Sequence, residues 1–360
     1  MNRFDPGVAY LTASPESVSW GFLPNGDSRP MVTVASGDTV CIDTVSHEGI
    51  LEDQGRDPVA FFGHLSVPAH LVLPDAIALA SSGLAHDPQV VGPHVVLGPV
   101  AVAGAQPGDV LEVETLRLER RAEYGLISNR HGRGALPGEL PAPLASGEPP
   151  PPVCLLATVE GERGVMRWDD GSVRFPLNPF LGIMGVAPAT SELVHSVPPG
   201  PHGGNLDVNL LGVGSRLYLP VQVPGALFHV GDPHFAQGDG EVALTAFEAP
   251  LRAWVRLSVH RGDTARRLAA ALRHPFAEDE SSWILMGLDR DLNEAMRQAT
   301  RQAIAFLGTQ AAMPPAVALA YLSAAGDFEV SQVVDIVKGV HCVIRKADFE
   351  GIVSFTQGLG

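Results

Sequence analysis

Positive charge is in short supply. Lys and Arg number 24 against 40 Asp and Glu, a formal balance of −16 over 360 residues. Holding a polyanion takes clustered cations, so nucleic acid and an anionic membrane surface are excluded as partners. Cysteine is scarcer still, with Cys41, Cys154 and Cys342 widely spaced and no C-x-x-C pair. A disulfide framework is therefore not expected, and a reducing, cytoplasmic compartment is. Long apolar runs are missing: no window reaches the ~18 consecutive apolar residues of a membrane span, and no apolar stretch of roughly 7–15 residues follows a basic start. Several catalytic signatures are absent too, among them a P-loop, G-x-G-x-x-G, H-E-x-x-H and a Gly/Ser-rich segment with a catalytic Lys. Gly212-Val-Gly-Ser-Arg216 has the wrong phase for a G-x-S-x-G elbow.

What is abundant is glycine and proline, 39 and 31 residues, in a chain that is still 45% apolar. Both residues disfavour helix interiors, which argues against a helical bundle, while the apolar share suffices for a sizeable core. Leu111 and Val113 alternate with Glu112 and Glu114; Leu217, Leu219, Val221 and Val223 alternate with Tyr218, Pro220, Gln222 and Pro224; Val255, Leu257 and Val259 alternate with Trp254, Arg256 and Ser258. This period of two predicts half-buried strands, with the proline-bearing 217–224 run at an edge or bulged. After Asp263 the period changes. Leu292, Ala295, Met296, Ala299, Ala303, Phe306 and Leu307 form a helical stripe, with Asp291 and Glu294 as a capping box and Gly308 as a stop. A second helix is expected over 316–325, followed by β-branched residues from Val330 to Ile344.

The expected fold is mainly β, a barrel or sandwich-like core with a smaller C-terminal α+β portion. Length suggests about two domains. The expected division is an N-terminal β unit (1–136), a Pro-rich linker (137–153), a central β unit carrying the site (154–262) and a C-terminal α+β portion packed on the core (263–360).

The densest polar constellation falls in Pro201-His-Gly-Gly-Asn-Leu-Asp207 and in His229-Val-Gly-Asp-Pro-His234, followed by Ala236-Gln-Gly-Asp-Gly-Glu241. On an extended segment Asp232 and His234 share a face, as do Asn205 and Asp207. Together the pairs supply the mixed nitrogen and oxygen donors that suit zinc or a similar divalent ion. Glu241, beyond the Gly-Asp-Gly turn, suits general acid and base work; Asp239 in that turn also serves simply to satisfy backbone donors. Arg130 and Arg133 carry forked donors that could receive an acidic group on a substrate or remain solvated. The cysteines sit in apolar or proline-rich runs and read as buried small hydrophobes.

Gly98-Pro-Val-Ala-Val-Ala-Gly-Ala-Gln-Pro-Gly-Asp-Val-Leu-Glu-Val-Glu114, His202-Gly-Gly-Asn-Leu-Asp207, Leu219-Pro-Val-Gln-Val-Pro-Gly-Ala-Leu-Phe228, Gly231-Asp-Pro-His234, Gln237-Gly-Asp-Gly-Glu241 and Ala325-Gly-Asp-Phe-Glu-Val-Ser-Gln-Val-Val-Asp335 resemble the acetamidase/formamidase family. The resemblance implies a β-rich, homo-oligomeric hydrolase of small carboxamides, and carries Asn205, Asp207, Asp232, His234, Asp239 and Glu241 over as site positions. The loops around Ser46-His-Glu-Gly49 and Ser128-Asn-Arg-His-Gly-Arg133, and the Pro-rich segment, depart from the short-amide members. In the mechanism these residues suggest, Asp207, Asp232 and His234 hold zinc, or calcium or another divalent ion. Glu241 moves the proton, Asn205 orients the substrate or oxyanion, and Asp239 is the third catalytic candidate. A cysteine-dependent amidase and a non-catalytic, cupin-like metal- or ligand-binding β-barrel are the rival readings.

Overall fold

The computed structural model describes residues 7–269 and 274–349. Two large sheets dominate among the described residues. One has nine strands, in the order Ala9–Leu11, Asp38–Asp43, Leu251–His260, Val110–Arg120, Arg216–Pro220, Phe276–Glu278, Ser282–Asp289, Lys338–Arg345 and Asp327–Gln332. The other, of eleven, is centred on Phe228–Ala236 and its neighbours Phe180–Gly185, Val95–Val102 and Phe247–Glu248. The chain is therefore mainly β, as its alternation predicts. Strands from early, middle and late sequence are hydrogen-bonded within the nine-stranded sheet.

The sheets meet through the apolar positions of that alternation. Leu111, Val113, Leu217, Leu219, Val255 and Leu257 from the first join Leu97, Phe228, Val230, Phe235 and Phe247 from the second in one buried cluster. Their polar neighbours face outward and pair across strands: Arg256 Nη1 lies 2.7 Å from Glu114, and His260 Nε2 2.7 Å from Glu112. A second apolar cluster, including Trp283, Leu285, Phe306 and Leu322, fastens helices Leu292–Ala311 and Pro315–Ala325 to the C-terminal end of the nine-stranded sheet. No single helix among the described residues is long and apolar enough to cross a membrane.

Expectations for the proline-bearing strand and for both ends of the helix from Asp291 change. The proline-bearing strand ends at Pro220 and is interior, between Val110–Arg120 and Phe276–Glu278. Because Pro220 is its last residue, most of the ladder keeps its donors, and the next free N–H, of Val221, bonds Asp109 O at 2.9 Å. Helix Leu292–Ala311 runs past Gly308 and stops at Ala312, whose φ is 50°. Asp291 caps it by accepting the Glu294 N–H at 2.9 Å, whereas the Glu294 side chain turns to Arg297 and Arg301. The Pro-rich segment forms no strand or helix and closes a hairpin, since Tyr124–Asn129 and Val153–Glu160 on either side of it are antiparallel partners.

Between Asp43 and Val95 the chain also forms two short helices not foreseen from alternation, Pro58–His64 and Pro74–Ala80. Each begins on proline, whose fixed φ and absent N–H suit a first turn, and Asp57 caps the former through Ala60 N–H at 3.0 Å. These helices follow the buried turn that carries His47 and Glu48.

Candidate active site

Strand Phe228–Ala236 brings Asp232 and His234 to the site. Phe180 pairs with His234 on one side and Glu248 with His234 on the other, so Glu248 is a cross-strand neighbour of the histidine. Strand Gly203–Asn205 borders Phe180–Gly185 through Ile183↔Asn205, and the chain then turns at Asp207. The Gly-Asp-Gly-Glu turn is pinned by Gly240 N–H to Ser331 O at 3.1 Å and Val333 N–H to Gly240 O at 3.2 Å. That contact carries Glu241 inward and sets Asp335 beside it, the Asp207 and Glu241 charges both acting on the Asp335 carboxyl.

The backbone at these acids is unusual. Asp207, Asp232 and Glu241 have φ of 48°, 51° and 46°, a left-handed conformation that costs a non-glycine residue about 1 kcal/mol or more. Opposite Asp232 lies Gly182, where a Cβ would fall 2.3 Å from Asp207 Oδ1 and 2.8 Å from Asp232 Oδ2. Only glycine leaves room for the two carboxylates to meet there.

The donor atoms converge without hydrogen-bonding one another. His234 Nε2 is 3.0 Å from Glu248 Oε1 and 3.1 Å from Asp232 Oδ2, yet neither ring nitrogen has a hydrogen-bond partner in geometry. Both Asp207 oxygens, Asp232 Oδ1, Glu241 Oε2, Glu248 Oε2, Asp335 Oδ2 and Asn205 Oδ1 are likewise buried and unpartnered. Buried polar atoms are ordinarily satisfied, so such a concentration calls for a missing partner. Separations near 3 Å are what donors ~2.1 Å from one divalent ion would have, so the set fits one. Asp232, His234 and Glu248 form one candidate ligand group, and Asp207, His234 and Glu241 another. His47, His94 and Asp232 form a third.

This splits the ligand set expected from sequence. Asp232 and Glu248 face Nε2 of His234, while Asp207 Oδ1 is 3.8 Å from Nδ1. Asp207 therefore groups with His234 and Glu241 at one edge of the ring, and Asp232 with His234 and Glu248 at the other. Asp239 is also set apart: it is exposed, accepts Asn209 Nδ2 at 3.0 Å and groups with Glu329 and His341. The turn at Gly240 sends successive side chains in different directions, Glu241 inward and Asp239 out.

Electrostatics follow from crowding. Burial, reinforced by the Asp232 charge, pushes the Asp207 carboxyl up to about 7. Burial and then Asp207 drive Glu241 and Asp335 well above the ordinary carboxylate range, and burial with Asp232 raises Glu248. Burial would also raise Asp232, but His234, His94 and His47 together outweigh it and hold that carboxyl well below its usual value. His234 is kept protonated against the cost of its burial by Glu248 and Asp232. Burial takes His94 down to about 3, leaving a neutral ring with Nδ1 2.9 Å from Ser196 Oγ.

His47, Glu48, His94, Glu248 and Asp335 were not nominated from the sequence. Glu48 is buried and takes Ser128 Oγ at 2.7 Å, Arg130 Nη1 at 3.0 Å and the Gln54 amide, and its neighbour His47 has Nδ1 3.4 Å from Asp232 Oδ1. Burial opposes ionisation of Glu48, but Arg130 and His47 hold its carboxyl below the ordinary value. The three thiols line no part of the cavity above the cluster, and burial pushes Cys41 and Cys342 up to about 12. That cavity, about 480 Å3, runs from Asn205, Asp232, Glu241 and Glu248 at its floor to Arg133 and Ile336 at an exposed rim.

Comparison with known proteins adds the lineage. The sequence model of the Acetamidase/Formamidase family matches residues 189–346, the stretch that holds most of the cluster. Over that stretch the chain is similar to the acetamidase/formamidase family. It is 29% identical over 199 residues to an acetamidase of Mycolicibacterium smegmatis, covering 41% of this chain and 49% of that one. It is 28% identical over 193 residues to a formamidase of Methylophilus methylotrophus, covering 42% and 47%. The chain thus matches about half the length of these curated relatives. Among solved structures, an acetamidase from Bacillus halodurans superposes with a TM-score of 0.72 at 27% identity, covering 95% of this chain and 99% of that one. An acetamidase from Yersinia enterocolitica gives 0.72 at 25% identity, with 95% and 93% covered. His47, Glu48 and His94 precede the residues that the acetamidase/formamidase pattern matches, which is why neither motif nor spacing points to them.

Proposed function

We propose that this chain is an amidohydrolase of the acetamidase/formamidase type that cleaves the C–N bond of a primary carboxamide to a carboxylate and ammonia. The observation that carries the reading is the convergence of unpartnered buried donors around His234 at the floor of a cavity open to solvent. Asp232, His234 and Glu248 would hold a divalent ion, for which the mixed nitrogen and oxygen donors suit zinc. When bound, such an ion supplies activation of water near neutral pH and polarisation of the amide carbonyl.

The chain's own groups do the rest. Glu241, whose carboxyl burial and the Asp207 charge hold well above the ordinary carboxylate range, would in its ionised form take the proton that the attacking water gives up and return it to nitrogen as the new C–O bond forms and the C–N bond breaks. Asp207 and Asp335 sustain that poise, because their carboxyls crowd Glu241 and each other. Asn205 lines the cavity and can donate its amide N–H to the developing oxyanion. His47, fixed beside Asp232 and Glu48, adds a donor on the same wall. Asp239 has no part in this scheme, since it faces another group of residues. A cysteine nucleophile is disfavoured by three thiols held away from the cavity. The same reading takes the compartment as cytoplasmic, from those three unpaired thiols, and the chain as a homo-oligomer, from the family resemblance.

The deciding experiment is ammonia release from a panel of primary amides by protein purified without added ions, with elemental analysis and a chelator arm. Metal-free protein with full activity in chelator would overturn the ion's role. Silence across the panel by protein that retains metal would favour the non-catalytic binder.

A further inference from the structure

We propose that the amides this site accepts carry an anionic group, a carboxylate, at the far end of the acyl chain, received at the rim by Arg133 and His195. The inference rests on the hydrolase reading and names its substrate class. Size is the first argument. Acetamide has four heavy atoms and, at the ~30 Å3 that a water occupies in the liquid, needs on the order of 100 Å3. The cavity holds about 480 Å3, so a short amide bound at the floor would leave most of it empty. Val91, Val197, Leu244 and Ile336 line it together with the polar floor, which suits an aliphatic chain between two polar ends.

Charge is the second argument. Two arginines line this cavity, and the structure separates their roles. Arg130 is committed, with Nη1 3.0 Å from Glu48 Oε1 and Nε 2.6 Å from Asp53 Oδ2. Glu52 is taken by His86 at 2.9 Å and by Arg56 at 3.4 Å. Arg133 has no carboxylate within 4.0 Å among the described residues, although it lines the same cavity. It is also held in place. Its N–H bonds Arg130 O at 3.0 Å, Gly132 N–H bonds Pro137 O at 2.7 Å and Ala135 N–H bonds Val242 O at 2.9 Å. Gly134 (φ 76°) sits so close to the 242–243 backbone that a Cβ would lie 2.8 Å from Ala243 O.

His195 supplies a second donor. Its Nδ1 accepts the Val197 N–H at 3.1 Å, so in the neutral ring the proton is on Nε2. Burial, with the Arg133 charge next, keeps that ring neutral. The forked guanidinium at the rim attracts a carboxylate and holds the charged end of the acyl chain there, which leaves the amide end directed at the floor.

The test measures ammonia release from the half-amides of butanedioic, pentanedioic and hexanedioic acids, the neutral diamides of the same acids, and acetamide. For at least one chain length, kcat/KM for the half-amide should exceed that for its diamide at least tenfold. Arg133→Gln should cut that ratio at least tenfold, chiefly through KM, and Arg133→Lys should restore part of it. Equal use of half-amide and diamide, or a ratio unmoved by Arg133→Gln, would overturn the proposal while leaving the hydrolase reading intact. Calorimetric binding of the half-amides to wild type and Arg133→Gln keeps the two ideas separate. If no amide is turned over, the hydrolase reading fails; binding that depends on Arg133 would still sustain the anion subsite, and its absence would remove that too.

Discussion

Removing divalent ions should make the folded protein lose stability as pH rises, and the size of the effect follows from Asp207. Its carboxyl is pushed up to about 7 when folded, against 3.8 for an unperturbed aspartate. Below the unfolded value both states keep the proton and the group contributes nothing. Between 3.8 and about 7 the unfolded chain has released a proton that the folded chain retains, so stability falls with rising pH. Above that window the whole penalty stands, and a gap of about 3 pH units amounts to ~4 kcal/mol at 1.36 kcal/mol each. Glu241, Glu248 and Asp335 are raised by the same burial and crowding and act with the same sign. A bound divalent cation offsets the crowded charge, lowers these pKa values and flattens the dependence. Thermal melts at pH 5, 6, 7 and 8 with chelator and with saturating zinc would measure it. The metal-free Tm should drop across that range by roughly 5–10 °C more than the zinc-loaded Tm. Superimposable profiles with and without zinc, or a metal-free protein more stable at pH 8 than at pH 5, would refute the reasoning.

Other expectations can be checked alongside. Gly182→Ala should fold, at an overpacking cost of about 1–3 kcal/mol, yet lose at least ~10²-fold in turnover and its metal content, because the new methyl occupies the space between Asp207 and Asp232; elemental analysis and ammonia release report both. Glu241→Gln should lose at least ~10²-fold in turnover while its metal-free form melts no lower than wild type, since the amide replaces a carboxyl that burial already keeps neutral. Arg130→Leu should cost about 3 kcal/mol in urea unfolding, because Glu48 stays buried without its main counter-charge. Away from the site, burial works against ionisation of Asp43, but the two-pronged Arg252 contact at 2.5 and 2.7 Å holds its carboxyl below 3.8. That stabilisation is present above the unfolded value and vanishes as pH falls through the folded one, so Asp43→Asn should be less stable by about 1–3 kcal/mol at pH 7 and converge on wild type once pH has fallen through the folded value.

What could be read from residue order was what lies within one element or one turn. Asp232 and His234 are two apart on a strand, and Asn205 and Asp207 flank a single bend, so residue order alone keeps the members of each pair close. The same locality explains the reading of the helix from Asp291 and of the buried face of Val255 and Leu257. It fails where cross-strand register decides. Glu248 ranks with His234 only because strand Phe247–Glu248 pairs there, and nothing in Ala246-Phe-Glu-Ala-Pro250 distinguishes that glutamate from a solvated one. His47 and His94 arrive from turns far away in sequence, and a lone histidine carries no spacing to interpret. Asp239 shows the converse failure. Proximity to Glu241 in sequence suggested a shared site, but the left-handed residues at Gly240 and Glu241 reverse the chain and aim the two carboxyls apart. The positive φ values at Asp207, Asp232 and Glu241 point to why this site resists local reading. A backbone that pays about 1 kcal/mol or more at each of three acids is held there by the sheets around it, so the site is specified by the packing of the whole fold rather than by any stretch that contains it.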